Sequence, residues 1–332
     1  MAPSLSSTWT QFFPPKPKFS ESDVPDLSDK TFIVTGANTG LGKQLARALY
    51  SKNAKVYLTT RTQAKAEAAI QDIQTSVRNS SGALSFIELD LSDLSSIKAS
   101  AEKFLHAESQ LHGIFHNAGY MGPEGDMEKT KQGYEMHIGV NCLGTFLFNK
   151  LLTPILLSTA KSRSKATDSV RVVFMSSFAA EMFAEKDVAI QMSNLDYHVE
   201  KPGKYRYGVS KAGNWAYAVE LSKRYKEQGV FGVPLNPGNL QSDLFRHQSF
   251  FFKLFTGPFN YPVINGVKAQ LWAGFSPEIT VKTAGHYVGP FGRFIPFRSD
   301  LEAGAAKETD EGGNGTTASF WDWSEEQVKQ YL

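Results

Sequence analysis

Between residues 31 and 235, short apolar runs alternate with helical stretches, and this rhythm constrains the fold more than any other feature of the chain. Strands are predicted at 31–35, 55–60, 84–89, 113–116, 170–175 and 230–235. Helices are predicted at 41–50, 63–77, 94–106, 133–157 and 205–226, with a bend before Pro154. Most of the strands are apolar throughout instead of alternating, as expected for strands buried on both faces. Strand–helix alternation with right-handed crossovers gives an α/β fold, a single-domain Rossmann-type doubly wound parallel sheet with helices on both faces.

The flanks break the rhythm. Residues 1–29 carry Pro14, Pro15 and Pro17 and are predicted to be an extended leader before a domain at 30–298. Residues 178–204 are expected to form a long connection. Residues 302–317 combine Gly304, Gly312, Gly313 and Gly315 with several charges, a flexible-loop composition. Ser324 and Gln327 then have capping-box spacing, which predicts a short helix to Tyr331 within a 299–332 tail. Phe320, Trp321 and Trp323 are expected to dock that tail on the body.

Composition narrows the function classes. Hydrophobic residues at 41% and charged residues at 20% exclude a mainly disordered chain. A formal net charge of +2 argues against a dedicated nucleic-acid binder. Cys142 is the single cysteine, so no intrachain disulfide can form, and a cytoplasmic location is expected. No apolar run approaches the roughly 20 residues of a membrane-spanning helix, because Lys150 and Pro154 interrupt 143–157. A signal peptide is not expected either.

The segment Thr35-Gly36-Ala37-Asn38-Thr39-Gly40-Leu41-Gly42 joins the first strand to the first helix. Gly36 permits a sharp exit from the strand, Gly40 lets backbone N–H groups approach a pyrophosphate, and Gly42 lets the helix pack closely on the sheet. A plain strand-to-helix turn would use the same glycines. Tyr207 and Lys211 are four apart on a predicted helix and share a face. An ammonium beside a phenol stabilises the phenolate; bringing its pKa toward 7, where it is a workable acid–base, would need roughly 4 kcal/mol of differential stabilisation. A surface Tyr/Lys pair is the structural alternative. Ser177 ends the fifth strand, where carboxyl ends of parallel strands face a ligand crevice and a hydroxyl can steady an oxyanion.

Together these segments resemble the short-chain dehydrogenase/reductase family. Thr35 to Gly42 looks like its T-G-x-x-x-G-x-G turn, and Asn117-Ala118-Gly119 like its N-A-G. Tyr207-Gly208-Val209-Ser210-Lys211 is similar to its Y-x-x-x-K, and Asn236-Pro237-Gly238 to the motif after its sixth strand. They occur in family order over roughly 30–290, and the flanks resemble fungal, retinol-dehydrogenase-like members. The resemblance implies hydride transfer between a nicotinamide cofactor and a carbonyl or alcohol. It implies Asn141, Ser177, Tyr207 and Lys211 as the catalytic set, with Ser177 chosen over Ser176 and Asn141 holding a water that links Lys211 to solvent. A buried helix–helix hydrogen bond is the other reading of Asn141. The cofactor residues implied are Gly36, Asn38, Gly40, Leu41, Gly42, Arg61, Asp90, Asn117, Ala118, Gly119, Pro237 and Gly238, together with Tyr207 and Lys211. Asp90 would sit near the adenine or else cap the helix beginning near Leu94.

Cofactor choice turns on the end of the second strand. Thr60 and Arg61 stand where an acidic residue would bind the ribose 2′-OH of NAD, and a guanidinium can hold a 2′-phosphate bidentately. NADP(H) is therefore expected. His112 and His116 have a spacing that binds zinc on a helix, but here they fall on a strand, and no metal site is expected. The stretch 239–262 carries Phe245, Phe251 and Phe255 among seven aromatics and is a candidate substrate lid, a core-packed helix or a partner- or membrane-facing patch. As a lid, with Gly257 and Pro258 setting its turn, it would close over a bulky apolar ketone or alcohol such as a polyketide or terpenoid intermediate. A nucleotide-binding non-redox or regulatory protein on the same scaffold is the alternative function. A homodimer remains one open arrangement.

Overall fold

The computed structural model describes residues 3–123, 125, 127–162, 169–241 and 257–332. Among them, eight strands form one sheet in the order β3-β2-β1-β4-β5-β6-β7-β8. They are β1 (Thr31–Thr35), β2 (Lys55–Thr60), β3 (Ala83–Glu88), β4 (Gly113–His116), β5 (Val170–Met175), β6 (Val230–Leu235), β7 (Val288–Gly289) and β8 (Arg293–Phe294). All neighbours pair in parallel except β7 with β8. The six predicted strands are the first six observed. β1, β4, β5 and β6 are buried along their whole length, which is why their sequences do not alternate.

Helices cover both faces. One core packs α2 (Gly40–Tyr50), α3 (Gln63–Ser76) and α8 (Val263–Phe275) on the sheet through Leu45, Leu49, Ile73 and Trp272. The opposite core uses α4 (Leu94–Ala107), α5 (Thr145–Lys161), α7 (Gly203–Tyr225) and α9 (Thr316–Val328), through residues such as Phe104, Leu152 and Trp215. The strand order reverses between β1 and β4, so their carboxyl ends open a crevice.

The helix predicted at 133–157 is wound differently. His137–Gly144 is π-helical and runs directly into α5, which contains Pro154 and continues to Lys161. By length and composition alone, His137–Lys161 could cross a membrane, with mean hydropathy 1.4 over its most apolar window. That window is 72% buried inside the fold, so the apolar character belongs to a core helix.

Three flanking expectations are corrected. The leader is not simply extended: α1 (Leu5–Phe12), capped by Ser4, docks on the domain, and Pro14, Pro15 and Pro17 follow it. The connection at 178–204 begins with a short helix, α6 (Phe178–Phe183), N-capped by Ser177. The 302–317 region contains a π turn at Leu301–Ala305 and a 3-10 turn at Thr309–Glu311. α9 starts at Thr316, so Ser324 sits mid-helix instead of capping one. Its hydroxyl is buried, donating to Phe320 O at 2.7 Å and pairing with Tyr217 Oη at 2.7 Å. Phe320 stacks on Tyr217, and Trp321 meets Phe146 edge-on, which fixes this tail on the body.

Candidate active site

The crevice between β1 and β4 is a cleft of about 840 Å3. Its floor is built from backbone. Thr35 Oγ1 accepts from Ala118 N at 2.9 Å, and Asn117 Nδ2 donates to Thr35 O at 3.0 Å, so the two strand ends are tied together. Gln270 Nε2 fixes the other end of the Asn117 amide at 3.1 Å. α2 packs against this floor at Gly42, where a Cβ would lie 2.5 Å from Asn117 Nδ2 and 2.6 Å from Gly36 O. Gly40 has φ +54° and open space where a Cβ would sit. Gly36, Asn38, Gly40 and Leu41 face the cleft.

Arg61 and Lys65 line the same cleft at the carboxyl end of β2, and both are exposed. Ala118 and Gly119 border its middle, and Pro237 and Gly238 lie after β6. A dinucleotide fits this set. Its cradle has open space at Gly40, two cations at one end and reactive side chains at the other. Asp90 is placed otherwise. Its carboxylate closes a turn by accepting from Ser92 N at 2.9 Å and Ser92 Oγ at 2.6 Å, and it is not among the residues lining the cleft. The cap of α4 is Asp93, which accepts from Ser95 N at 3.2 Å.

Ser177, Tyr207 and Lys211 line one wall. Both Ser176 and Ser177 line the cleft, but Ser176 Oγ is spent on Lys211 O at 2.9 Å, a tie between β5 and α7. Ser177 Oγ accepts from Ala179 N at 3.1 Å, and Tyr287 Oη donates to the Ser177 backbone carbonyl at 3.1 Å, so both the hydroxyl and the backbone of this residue are held. Lys211 Nζ lies 5.7 Å from the Tyr207 ring centroid and donates to Met175 O at 2.9 Å.

The acid–base balance differs from the sequence expectation. Burial pushes the Tyr207 phenol up to about 12, with the Ser177 hydroxyl acting in the opposite direction. Burial also pulls the Lys211 ammonium down to about 8. A phenol lowered toward 7 needs the ammonium aimed at its oxygen, and here that ammonium is committed to a carbonyl.

Asn141 is fully buried in the π-helical turn. Its Oδ1 accepts from Tyr120 N at 2.6 Å, and its Nδ2 donates to Tyr120 O at 3.0 Å and Ser210 Oγ at 2.9 Å. A Cβ on Gly119 would lie 3.2 Å from Lys211 Nζ and 3.5 Å from Asn141 Oδ1, so both side chains converge behind that glycine. Nearby, His137 lies edge-on to Tyr207 with ring centroids 6.2 Å apart, and its Nδ1 meets Glu135 Oε1 at 2.5 Å.

Cys142 is a core thiol that donates to Ser210 O at 3.3 Å and is pushed up by burial, so it is no thiolate nucleophile. His112 Nδ1 accepts from Thr31 N at 3.0 Å, and His116 meets Asn149 Oδ1 at 3.2 Å. Phe245, Phe251 and Phe255 lie outside the described residues.

Sequence reasoning missed Gln11, Lys65 and Tyr120, which also line the cleft. Lys65 had a signal, a second cation just beyond Arg61 at the start of a helix. Gln11 had none, because its neighbours in the cleft lie more than 200 residues away.

Comparison with known proteins agrees with this geometry. Residues 30–249 match the family model for short chain dehydrogenase. A short-chain dehydrogenase/reductase of Neocamarosporium betae, bet4, is 48% identical over 99% of this chain and 94% of its own length. A crystal structure from Mycobacterium paratuberculosis is 26% identical, with a TM-score of 0.66 over 94% of this chain and 97% of that one. A Shigella flexneri short chain dehydrogenase complexed with NADP superimposes with a TM-score of 0.59 at 20% identity, over 80% of this chain and 98% of that one. The chain belongs to the short-chain dehydrogenase/reductase family of oxidoreductases.

Proposed function

We propose that the protein is an NADP(H)-dependent oxidoreductase that interconverts a ketone and a secondary alcohol on a bulky apolar small molecule. The observation that carries this reading is the placement of Ser177, Tyr207 and Lys211 on one wall of a cleft whose far end holds Arg61 and Lys65. The guanidinium and the ammonium form a cationic pocket suited to a 2′-phosphate, and no carboxylate stands at the end of β2 to repel it. The Shigella flexneri neighbour carries NADP in the same fold.

Bound in this cleft, NADP(H) supplies or accepts the hydride. The chain's own residues do the rest. Ser177 donates a hydrogen bond to the carbonyl oxygen and steadies its developing charge. Tyr207, held as a neutral phenol by burial, gives that oxygen its proton. Lys211 offers a positive charge beside the phenol and can leave Met175 O, which keeps Asn214 Nδ2 as a second donor at 3.0 Å. Asn141 fixes the Tyr120 turn and bonds Ser210, the residue before Lys211 on α7, where it would hold a water that links Lys211 to solvent. Met121, Pro123 and Leu240 give this end of the cleft an apolar lining suited to a large substrate.

The test is NADPH consumption with a panel of ketones graded in size and polarity, beside a cofactor titration. Turnover of large apolar ketones with NADPH is the expected result. Cofactor binding without turnover of any ketone or alcohol would point to the non-redox alternative.

A further inference from the structure

The domain was expected to begin at residue 30, yet α1 sits against both flanks of the cleft. On one flank, Ser7 Oγ donates to Glu181 Oε1 at 2.9 Å and Oε2 at 2.7 Å, which ties α1 to α6, the helix that Ser177 caps. Phe12 meets Phe178 in the same helix edge-on, with ring centroids 6.1 Å apart. On the other flank, the Gln11 amide is spent on two asparagines. Its Nε2 donates to Asn239 Oδ1 at 2.6 Å, and its Oε1 accepts from Asn236 Nδ2 at 2.8 Å. Tyr261 Oη adds a hydrogen bond to Phe12 O at 2.8 Å, and Arg293 reaches Pro15 O at 2.6 Å.

Asn236 and Asn239 bracket Pro237-Gly238, which lines the cleft on the side of Ser177 and Tyr207. Gln11 is 1% exposed. A buried amide with both ends satisfied by one turn holds that turn in a single shape.

We propose that α1 is a working wall of the active site and that Gln11 is a positioning residue, bridging Asn236 and Asn239 so that Pro237-Gly238 is preformed for the nicotinamide end of the cofactor. The assignment of that end rests on the dinucleotide reading above; the clamp on the turn does not. Gln11 touches the turn instead of the reacting atoms, so it acts through Asn236 and Asn239. The ordering entropy of the turn is met on folding instead of on binding.

Gln11→Met keeps the side-chain volume and removes both hydrogen bonds, and Asn239→Ala cuts one of the same ties from the other side. Two measurements separate the clamp from the cofactor. The first is amide hydrogen exchange of Gly238 and Gln241 in the unliganded protein, where both variants should exchange roughly tenfold faster. The second is NADPH affinity by fluorescence titration, which should weaken roughly tenfold in each variant, the double variant being no weaker than the worse single. Trp9→Ala, on the exposed side of α1 and 65% accessible, should change neither. Unchanged exchange in both variants overturns the clamp. Faster exchange with unchanged NADPH affinity overturns the positioning role. If the parent protein bound no nicotinamide cofactor, the functional reading would fail while the exchange result still decided the clamp.

Discussion

Lys211 Nζ and the Tyr207 ring lie 5.7 Å apart inside the fold, and burial draws each group toward its neutral form. The two shifts have opposite consequences for pH. Tyr207, pushed up to about 12, keeps its proton across the working range and remains a donor. Lys211, pulled down to about 8, loses its ammonium as pH rises through that value. Carbonyl reduction should therefore show kcat/KM falling above about pH 8 with a one-proton slope, and the break should belong to Lys211. Tyr207→Phe should lower turnover by roughly a hundredfold or more while leaving NADPH affinity nearly unchanged, because the hydroxyl it removes is assigned to proton transfer, while the ring and Lys211 stay in the cofactor cleft. A pH–rate profile that stays flat to pH 10, or a Tyr207→Phe variant with near-normal turnover, would contradict these roles.

Arg61 should decide between the two nicotinamide cofactors. Arg61→Ala removes a charge-assisted contact of about 1.5–3 kcal/mol to a 2′-phosphate, so NADPH binding should weaken roughly ten- to hundredfold. NADH lacks that phosphate and should bind equally well before and after. Lys65→Ala should act in the same direction with a smaller effect, because an exposed ammonium is a point charge without the bidentate fork. Titration of both cofactors against the parent and the two variants checks this. Tighter NADH than NADPH binding in the parent would sink it.

What the sequence disclosed and what it hid follow from the range of the interactions. β1 to β6 and the glycine turn were legible because their signals are local: short, largely apolar runs of four to six residues and the Gly36, Gly40, Gly42 spacing. α1 was not, because the groups that hold it, Glu181, Asn236 and Asn239, are far away in the chain, while the nearby prolines signal extended structure. α9 was placed late because Gly312, Gly313 and Gly315 mark the turn before it, and the polar residues from Thr316 onward hide a helix that packs through Phe320 and Trp321. Asp90 and Asp93 lie three apart before α4, and only the backbone shows which one caps it. Tyr207 and Lys211 were found by their spacing, but the direction of their pKa shifts was not, since burial depends on every element packed around them.

Glu181 should give the α1 contact a pH dependence. Its carboxyl is pushed up to about 7, by burial first, with Glu302 adding to the rise and the Ser7 hydroxyl and Arg298 opposing it. A carboxyl raised in the folded state stabilises it fully below about pH 4.5, and that contribution is lost as pH rises through about 7. His116, pulled down to about 4 by burial, has the opposite slope in much of the same window, because the unfolded chain then binds more protons. The informative quantity is thus the difference in unfolding free energy between the parent and Glu181→Gln. That difference should shift against the parent by up to about 3 kcal/mol between pH 4.5 and 7 and then level off. Parallel stability curves across that window would show that Glu181 does not titrate there.

Gly42 and Gly40 stand two residues apart in the same turn, and alanine should damage different properties at each. At Gly42 a Cβ would lie 2.5 Å from Asn117 Nδ2 and 2.6 Å from Gly36 O. Asn117 cannot yield freely, since its Nδ2 is bonded to Thr35 O and its Oδ1 to Gln270. α2 must therefore lift off the sheet, and Gly42→Ala should cost about 1–3 kcal/mol of stability, a fall of several degrees in Tm. At Gly40 no atom lies within 4 Å of the added carbon, so packing is not disturbed. The backbone there has φ +54°, which strains an L-residue by roughly 1–2 kcal/mol, and the new methyl faces the cleft where backbone N–H groups are offered to a pyrophosphate. Gly40→Ala should consequently lose more in NADPH affinity than in Tm, and Gly42→Ala more in Tm than a single buried methyl ordinarily costs. Calorimetry beside a cofactor titration on both variants separates the two effects, and a Gly42→Ala protein as stable as the parent would show that α2 can shift without cost.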